Sequence, residues 1–408
     1  MRWPLLALLI AAQRIASDDE ASCASGDSGS ACAPPEDCGC GQLSRSGSSD
    51  GGGAAAPRSL ALSEAARRHN EDMVELPARR FSMGQSKDKV HFKGDGEGPV
   101  RRVRLSGFRL DRYEVTNAKF WDFVDETGYV TDAERLGDSF VSDLYLSEAV
   151  LAGISLQVDA VPWWLPVPNA SWQRPEGFDS ALDGPRSRFG DRWQHPVVHA
   201  SWDDAAAYCG WRNASLPTEA QWEAAARGGE EMLLYPWGDE HFGSPKRHRM
   251  NIWQGKFPKQ NTAKDGFIKT APVDAFGPQN SFGLYNMVGN AWEWVSDWWS
   301  PVHFLTNETQ HLGFVDPAGP SLEELEYLEE SGYLRKQGGS FEKVKKGGSF
   351  MCHKSYCWRY RICARSKLTP DSSAHHTGFR CARPATDEAA AHWSKLPEPE
   401  PPASDVTS

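Results

Sequence analysis

Turn-forming clusters interrupt this chain so often that its central part has no room for long helices or extended strands. Pro236-Trp237-Gly238-Asp239, Asp265-Gly266 and Asn280-Ser281-Phe282-Gly283 each set residues that favour tight turns between short apolar stretches. Aromatics compensate: 17 tryptophans accompany 37 glycines in 408 residues. Large rings bury much area per residue, so a compact, loop-rich domain is expected rather than a helical bundle. Helix signals are few but specific. Thr116 caps a helix that carries Phe120, Phe123 and Val124 and ends at Gly128. Ser201-x-x-Asp204 opens a second, holding Ala205 to Trp211, and Thr218-x-x-Gln221 a third, closed by Gly228-Gly229. Val100, Val103 and Leu105 alternate imperfectly with charge, and Phe108 and Leu110 continue a second strand. The fold class is α+β, a single domain low in regular structure.

The ends of the chain read differently. Arg2, the apolar run from Leu5 to Ala12 and the small residues Ala16 and Ser17 form a signal-peptide pattern over residues 1–17. That run is too short to span a bilayer, and no later segment approaches about 18 uninterrupted apolar residues. Residues 18–75, an arm dominated by Ser, Gly, Ala, Asp and Pro at its start, cannot bury enough surface to offset chain entropy and are expected to be disordered. A globular region is expected over 76–384, with a disordered Glu/Pro-rich tail over 385–408. Within it, Ser321 begins an acidic amphipathic helix with Leu322, Leu325 and Leu328 on one side, read as part of a surface insertion over about 321–341. The net charge of −11, with no long Lys/Arg run, leaves no face for neutralising nucleic-acid phosphates.

Nine cysteines, at 23, 32, 38, 40, 209, 352, 357, 363 and 381, all lie beyond the signal peptide. An odd count in an oxidising lumen leaves at least one thiol free or paired to another chain. Four of them sit in the arm, where Cys38-Gly39-Cys40 suits either intermolecular disulfide exchange or local pairing. Asn169, Asn213 and Asn307 begin glycosylation sequons.

The most informative segment is Gly347-Gly348-Ser349-Phe350-Met351-Cys352-His353-Lys354-Ser355-Tyr356-Cys357. Five positions separate the two cysteines, about 140° apart on an ideal helix and on opposite faces of a strand, so the thiols converge only where the backbone bends. Converging thiols have three readings: a structural disulfide, half of a zinc site, or a two-sulfur site for Cu(I). Zinc is the weakest, because no second C-x-x-C or H-x₃-H set appears. Arg359, Arg361 and Arg365 would favour thiolate if they face the pair; otherwise they are surface arginines. Two further clusters mix side-chain oxygens with turn carbonyls, Asn286 to Trp294 and Asn251-Ile252 with Asp265-Gly266-Phe267. Hard cations such as Ca²⁺ prefer such donors, although turn capping by Asn and Asp accounts for the same residues.

At this point a family resemblance emerges. Leu216-Pro217-Thr218-Glu219-Ala220-Gln221-Trp222-Glu223, Pro236-Trp237-Gly238, Gly289-Asn290-Ala291-Trp292-Glu293-Trp294, Gly347-Gly348-Ser349 and Gly378-Phe379-Arg380 resemble, in order, the formylglycine-generating enzyme family over residues 78 to 384. Several of these strings are shared with non-heme iron sulfoxide synthases and binding proteins of the wider superfamily. Cys352-His353-Lys354-Ser355-Tyr356-Cys357 is narrower and resembles the catalytic segment of the active members, which the inactive paralogue lacks. The resemblance implies a copper-dependent oxidase that converts the cysteine of a Cys-x-Pro-x-Arg motif in newly made, unfolded sulfatases to formylglycine. Cys352 and Cys357 would hold Cu(I), with Ser349 and His353 lining the site and Trp292 and Tyr356 shaping the pocket. Asn251, Ile252, Asp265 and Phe267 would form one structural calcium site, and Asn286, Gly289, Ala291 and Glu293 the other. Asp138, Ser139, Phe140, Trp163 and Trp164 would form the substrate groove, and Cys209 and Cys381 a disulfide. Cys38 and Cys40 would link the protein to a thiol-exchanging retention partner in the endoplasmic reticulum lumen, with part of it secreted. Two departures stand out: Ala226 and Ile362 occupy the places of a second family disulfide, leaving Cys363 without an obvious partner, and His376 replaces an asparagine. A catalytically silent sulfatase-binding regulator and a calcium-dependent binding module are the rival classes, and neither needs a productive thiol pair.

Overall fold

Short apolar stretches between turns produce short elements. A computed structural model describes residues 43, 62–158, 161–182, 192–241, 247–303 and 313–385, all within the unit Glu36–Ser408. The expected signal peptide, the cysteines at 23, 32, 38 and 40, the sequon at Asn307 and the tail beyond Ala385 lie outside the described residues. The helices are α1 Glu64–His69, α2 Asn117–Thr127, α3 Asp132–Leu136, α4 Glu148–Leu151, α5 Trp202–Trp211, α6 Glu219–Ala226 and α7 Leu322–Glu330. No described helix is long and apolar enough to cross a membrane. The strands of the first half are β1 Met73–Leu76, β2 Arg79–Met83, β3 Arg101–Leu105, β4 Phe108–Asp111, β5 Asp138–Ser142 and β6 Trp164–Pro168. Those of the second are β7 Trp292–Trp298, β8 Phe314–Val315, β9 Lys343–Lys346, β10 Ser366–Leu368, β11 Thr377–Phe379 and β12 Ala382–Pro384. This is the expected α+β domain.

Among the described residues the strands form four small sheets, ordered β1-β4-β12, β2-β3-β8, β10-β9-β7-β11 and the hairpin β5-β6. Local capping chemistry sets the helix starts. Thr116 Oγ1 accepts from Lys119 N–H at 3.2 Å, and Gly128 closes α2 at φ 66°. Ser201 with Asp204 and Thr218 with Gln221 form reciprocal capping boxes, each N-cap contributing about 1 kcal/mol. Strand β7 runs between two apolar clusters. Trp292 and Trp294 join the cluster containing α2, α5, β5 and β6, while Val295 joins the one containing β2, β3, α6 and α7.

With so little ladder, many buried carbonyls need other donors, and arginines supply them. Arg380 bonds the carbonyls of Asp111, Arg112 and Tyr285 while pairing with Glu293 at 2.6 Å. Arg365 bonds those of Asp95 and Ser300 while pairing with Glu219. Cys209 on α5 is disulfide-bonded to Cys381 beside β12, as the resemblance implied, closing a span of 172 residues. Ala226 and Ile362, at the places of the second family bridge, are buried in one apolar cluster, so packing stands where a bond would be.

Three expectations need correction. Order begins before residue 76, because α1 buries Ala66 and His69 and β1 pairs with β4. Val100 lies outside β3 and is 39% exposed, the strand starting at Arg101. In α7, Leu325 and Leu328 are buried but Leu322 is 51% exposed. At about 100° per residue, Leu322 and Leu328 stand roughly 120° apart, too far to share one narrow stripe. The insertion is therefore not a surface appendage: Leu325, Leu328, Leu334 and Phe341 complete the second cluster.

Candidate active site

The segment after β9 bends as the cysteine spacing requires. Gly347 and Gly348 take φ 91° and 72°, a region that side chains resist. A Cβ on Gly348 would stand 2.9 Å from the Tyr360 backbone, and one on Gly347 would stand 2.9 Å from Met287 O. Only glycine lets the chain pass here. Phe350 N–H then donates to Asn290 O, Cys352 N–H to Ser349 O, and Cys357 N–H back to His353 O at 2.8 Å, closing a single turn between the cysteines. The turn brings Cys352 Sγ within 2.7 Å of Cys357 Sγ, beyond the about 2.05 Å of a disulfide, and both thiols are fully buried. Gly348→Ala is expected to push this turn off its path. It should lower thermal stability and at least halve Cu(I) uptake relative to the parent, measured by calorimetry and metal analysis, because strain at such a position costs about 1–3 kcal/mol.

Burial opposes ionisation of Cys352. The hydrogen bond with Cys357, backbone hydrogen bonding at Ser349 and the charge of Arg359 outweigh it, holding the thiol below its ordinary value. Of the three arginines, Arg359 is among the charges that lower this thiol, and none is a surface residue. Arg359 pairs with Asp95, Arg361 with Glu97 and Arg365 with Glu219. Cys363 is the leftover thiol: free and buried beside Arg361 and Glu97, it is pushed up to about 11 by burial and is no third thiolate.

Other expected residues surround the pair unevenly. Ser349 is buried, and its Oγ accepts from Met351 N–H at 3.3 Å. Tyr356 donates its hydroxyl to Met351 O and stacks on Phe257 at 4.2 Å between ring centroids. His353 is half-buried and bonded to Ser355. Trp292 is buried on β7, with its backbone N–H on His376 O. Phe257, which no sequence pattern marked, ties the thiol turn to the hairpin, since its ring meets both Tyr356 and Trp163. On that hairpin, Asp138 and Trp163 are half-buried, whereas Ser139, Phe140 and Trp164 face inward. Ser139 bonds His199 and Ser373, and Trp164 packs on His375 and His376, so these side chains are held in the interior.

The structure also tests the two cation sets. Asp265 accepts N–H groups from Ile252 and Phe267, which brings that set together, and Asn251 Oδ1 is buried without a hydrogen-bond partner. An orphan oxygen beside a carboxylate fits a hard cation. In the second set Asn286 Oδ1 is likewise an orphan. The Glu293 carboxylate, however, is already taken by Arg380 and by Trp222 Nε1 at 2.7 Å, so its side chain does not fit the role of a ligand. The buried thiols fit a soft monovalent cation, because polarizable sulfur suits Cu(I).

Comparison with known proteins adds to this geometry. The sulfatase-modifying factor enzyme 1-like domain family matches residues 59–385. The chain is 47% identical over 390 residues to the formylglycine-generating enzyme of Mus musculus, covering 92% of each chain. It is 51% identical over 311 residues to that of Bos taurus, covering 76% of this chain and 74% of the relative. It is also 38% identical over 311 residues to the inactive C-alpha-formylglycine-generating enzyme 2 of Bos taurus, covering 76% and 87%.

Proposed function

The chain belongs to the sulfatase-modifying factor enzyme 1-like domain family, and from that premise we propose that it oxidises a cysteine in newly made, unfolded sulfatases to formylglycine. The observation that carries this reading is the pair of buried thiols at 2.7 Å outside any disulfide, which a regulator or a calcium-dependent binding module would not need. Cys352 and Cys357 would hold Cu(I), which when bound supplies the redox chemistry with dioxygen that thiols alone lack. The bend at Gly347-Gly348 keeps both sulfurs on one side of the chain, and the low Cys352 thiol favours the thiolate that binds metal. Trp253 N–H on Cys352 O and the Tyr356–Phe257 stack hold that geometry while substrate enters. The substrate cysteine would give up two hydrogens, one from Cβ and one from its thiol, with their two electrons to dioxygen, leaving a thioaldehyde that water converts to the aldehyde with loss of hydrogen sulfide.

The hairpin sets a length for the substrate. Asp138 pairs with Pro168 at one end and Ser142 with Trp164 at the other, four residue steps or about 13 Å apart. Four steps also separate Cys from Arg in an extended Cys-x-Pro-x-Arg peptide. With its cysteine at the thiol turn beside Trp163 and Phe257, the peptide would bring its arginine to Asp138. Main-chain contacts to the extended peptide supply the remaining affinity. Asp138→Asn should therefore raise KM for the peptide by up to about fivefold and leave kcat unchanged, because a half-exposed pair contributes about 0–1 kcal/mol. The same loss with an Arg→Ala peptide, whose KM should not respond to the mutation, separates this contact from a general defect.

Calcium at the Asn251/Asp265 set would brace the loop that carries Phe267, a structural role. We place the protein in the endoplasmic reticulum lumen, with part of it secreted, on the signal-peptide pattern, and assign Cys38 and Cys40 to a thiol-linked retention partner. The function is tested by incubating purified protein with a Cys-x-Pro-x-Arg peptide, Cu(I) and air. Aldehyde that is lost with a strong copper chelator is expected, and its complete absence would refute the proposal.

A further inference from the structure

The hairpin that sets the substrate length ends on a sequon. Asn169 follows β6 directly, is exposed, and takes φ 61°, the left-handed region that Asn tolerates better than most residues. Its side chain makes no hydrogen bond among the described residues. Its backbone N–H donates to Gly137 O at 2.8 Å, which locks Asn169 beside the residue that precedes Asp138. A sugar attached at this amide would therefore begin at the end of the hairpin that carries Asp138, the carboxylate assigned to the substrate arginine. Asn213, the other described sequon, is also exposed at φ 51°, but it follows α5, in the neighbourhood of Arg212 and Asn70 rather than the hairpin.

We infer that Asn169 carries an N-linked glycan that stands at the arginine end of the groove and restricts the site to extended chains. The inference rests on the substrate path given above. An N-glycan is bulky, hydrophilic and held by one bond to a turn. A single extended strand passes beside it, because the strand occupies the hairpin edge and little more. A folded surface has to displace the sugar across a broad front. The glycan would then act as a filter on substrate state without touching the thiol turn. It provides a steric reason, independent of cysteine accessibility, for a preference for chains that have not yet folded.

The full chain, produced in eukaryotic secretory cells, is compared with its Asn169→Gln and Asn213→Gln variants. Glycopeptide mass spectrometry reads occupancy at each asparagine. Affinity is measured for a short Cys-x-Pro-x-Arg peptide and for the same motif in a surface loop of a folded carrier. Binding is used rather than turnover, so the outcome does not depend on copper. The expected result is a glycan at Asn169 and, in Asn169→Gln alone, tighter binding of the carrier by about threefold or more with the peptide unchanged. An unmodified Asn169, or a carrier-to-peptide ratio equal in all three proteins, overturns the inference. Failure of the parent to make aldehyde would instead count against the proposed function and leave the glycan map standing.

Discussion

Replacing either Cys352 or Cys357 with serine should reduce aldehyde formation from a Cys-x-Pro-x-Arg peptide by more than about 100-fold. Altering residues that merely orient metal ligands already costs about 10–100-fold, and these two are the proposed ligands themselves. The substitutions are nearly isosteric, but a hydroxyl does not offer the soft, ionisable donor that a thiol does. Both sulfurs lie in an apolar cluster with Phe350, Met351 and Tyr356, so a buried hydroxyl should cost each variant about 1–3 kcal/mol while leaving it folded. That separates loss of chemistry from loss of structure. The double variant should be no worse than either single one, because two ligands of one metal act as a unit. Circular dichroism with quantified aldehyde checks both halves. Folded variants that keep more than a tenth of the parent's rate would remove the thiol pair from the mechanism.

Breaking the Glu293–Arg380 pair should produce the largest loss of stability. Both side chains are fully buried and meet at 2.6 Å, and Arg380 also bonds three carbonyls from two separate stretches of chain. Removing one member of such a pair costs about 3–5 kcal/mol, a large share of the about 5–15 kcal/mol that holds a typical domain together. Arg380→Met should be the worse change. It leaves Glu293 charged in the interior near Glu114, whose carboxyl is already pushed up to about 8 by burial and then by Glu293. Glu293→Leu leaves Arg380 unpaired but keeps its carbonyl contacts. Combining Glu293→Leu with Arg380→Met should recover part of the loss, because apolar replacement of a whole buried pair is often near neutral. Denaturant unfolding of the four proteins forms the cycle. Strict additivity of the single losses would show that the pair is not coupled.

These two results divide what the sequence reveals. Helix starts at Thr116, Ser201 and Thr218 were legible because capping is decided within four residues. The bend at Gly347-Gly348 was legible because two glycines just before the cysteine segment permit the positive-φ backbone that a bend needs. Sheet order was not, since strands of three to five residues carry little pattern and pair across the whole chain, as Leu110 does with Ala382. The partners of the arginines were not legible for the same reason: Arg361 meets Glu97 across 264 positions, and nothing local in the sequence announces that partner. Recurrent strings such as Gly378-Phe379-Arg380 and Trp292-Glu293-Trp294 prove to be the two halves of one buried ion pair. They identify the fold. The cysteines at 352 and 357 are what point to the chemistry. Ser139, Phe140 and Trp164 were assigned to the groove by resemblance, but every residue of β5 after Asp138 is buried and Trp164 is fully buried, so these three face inward.

Sulfur ligation of the metal in working protein tests the central claim most directly. X-ray absorption at the copper edge, on full-length protein loaded with Cu(I) and shown to make aldehyde, should report monovalent copper bound by two protein sulfurs, with that signal absent from the Cys352→Ser variant. Fully active protein that contains no copper and carries Cys352 and Cys357 as a permanent disulfide would contradict it.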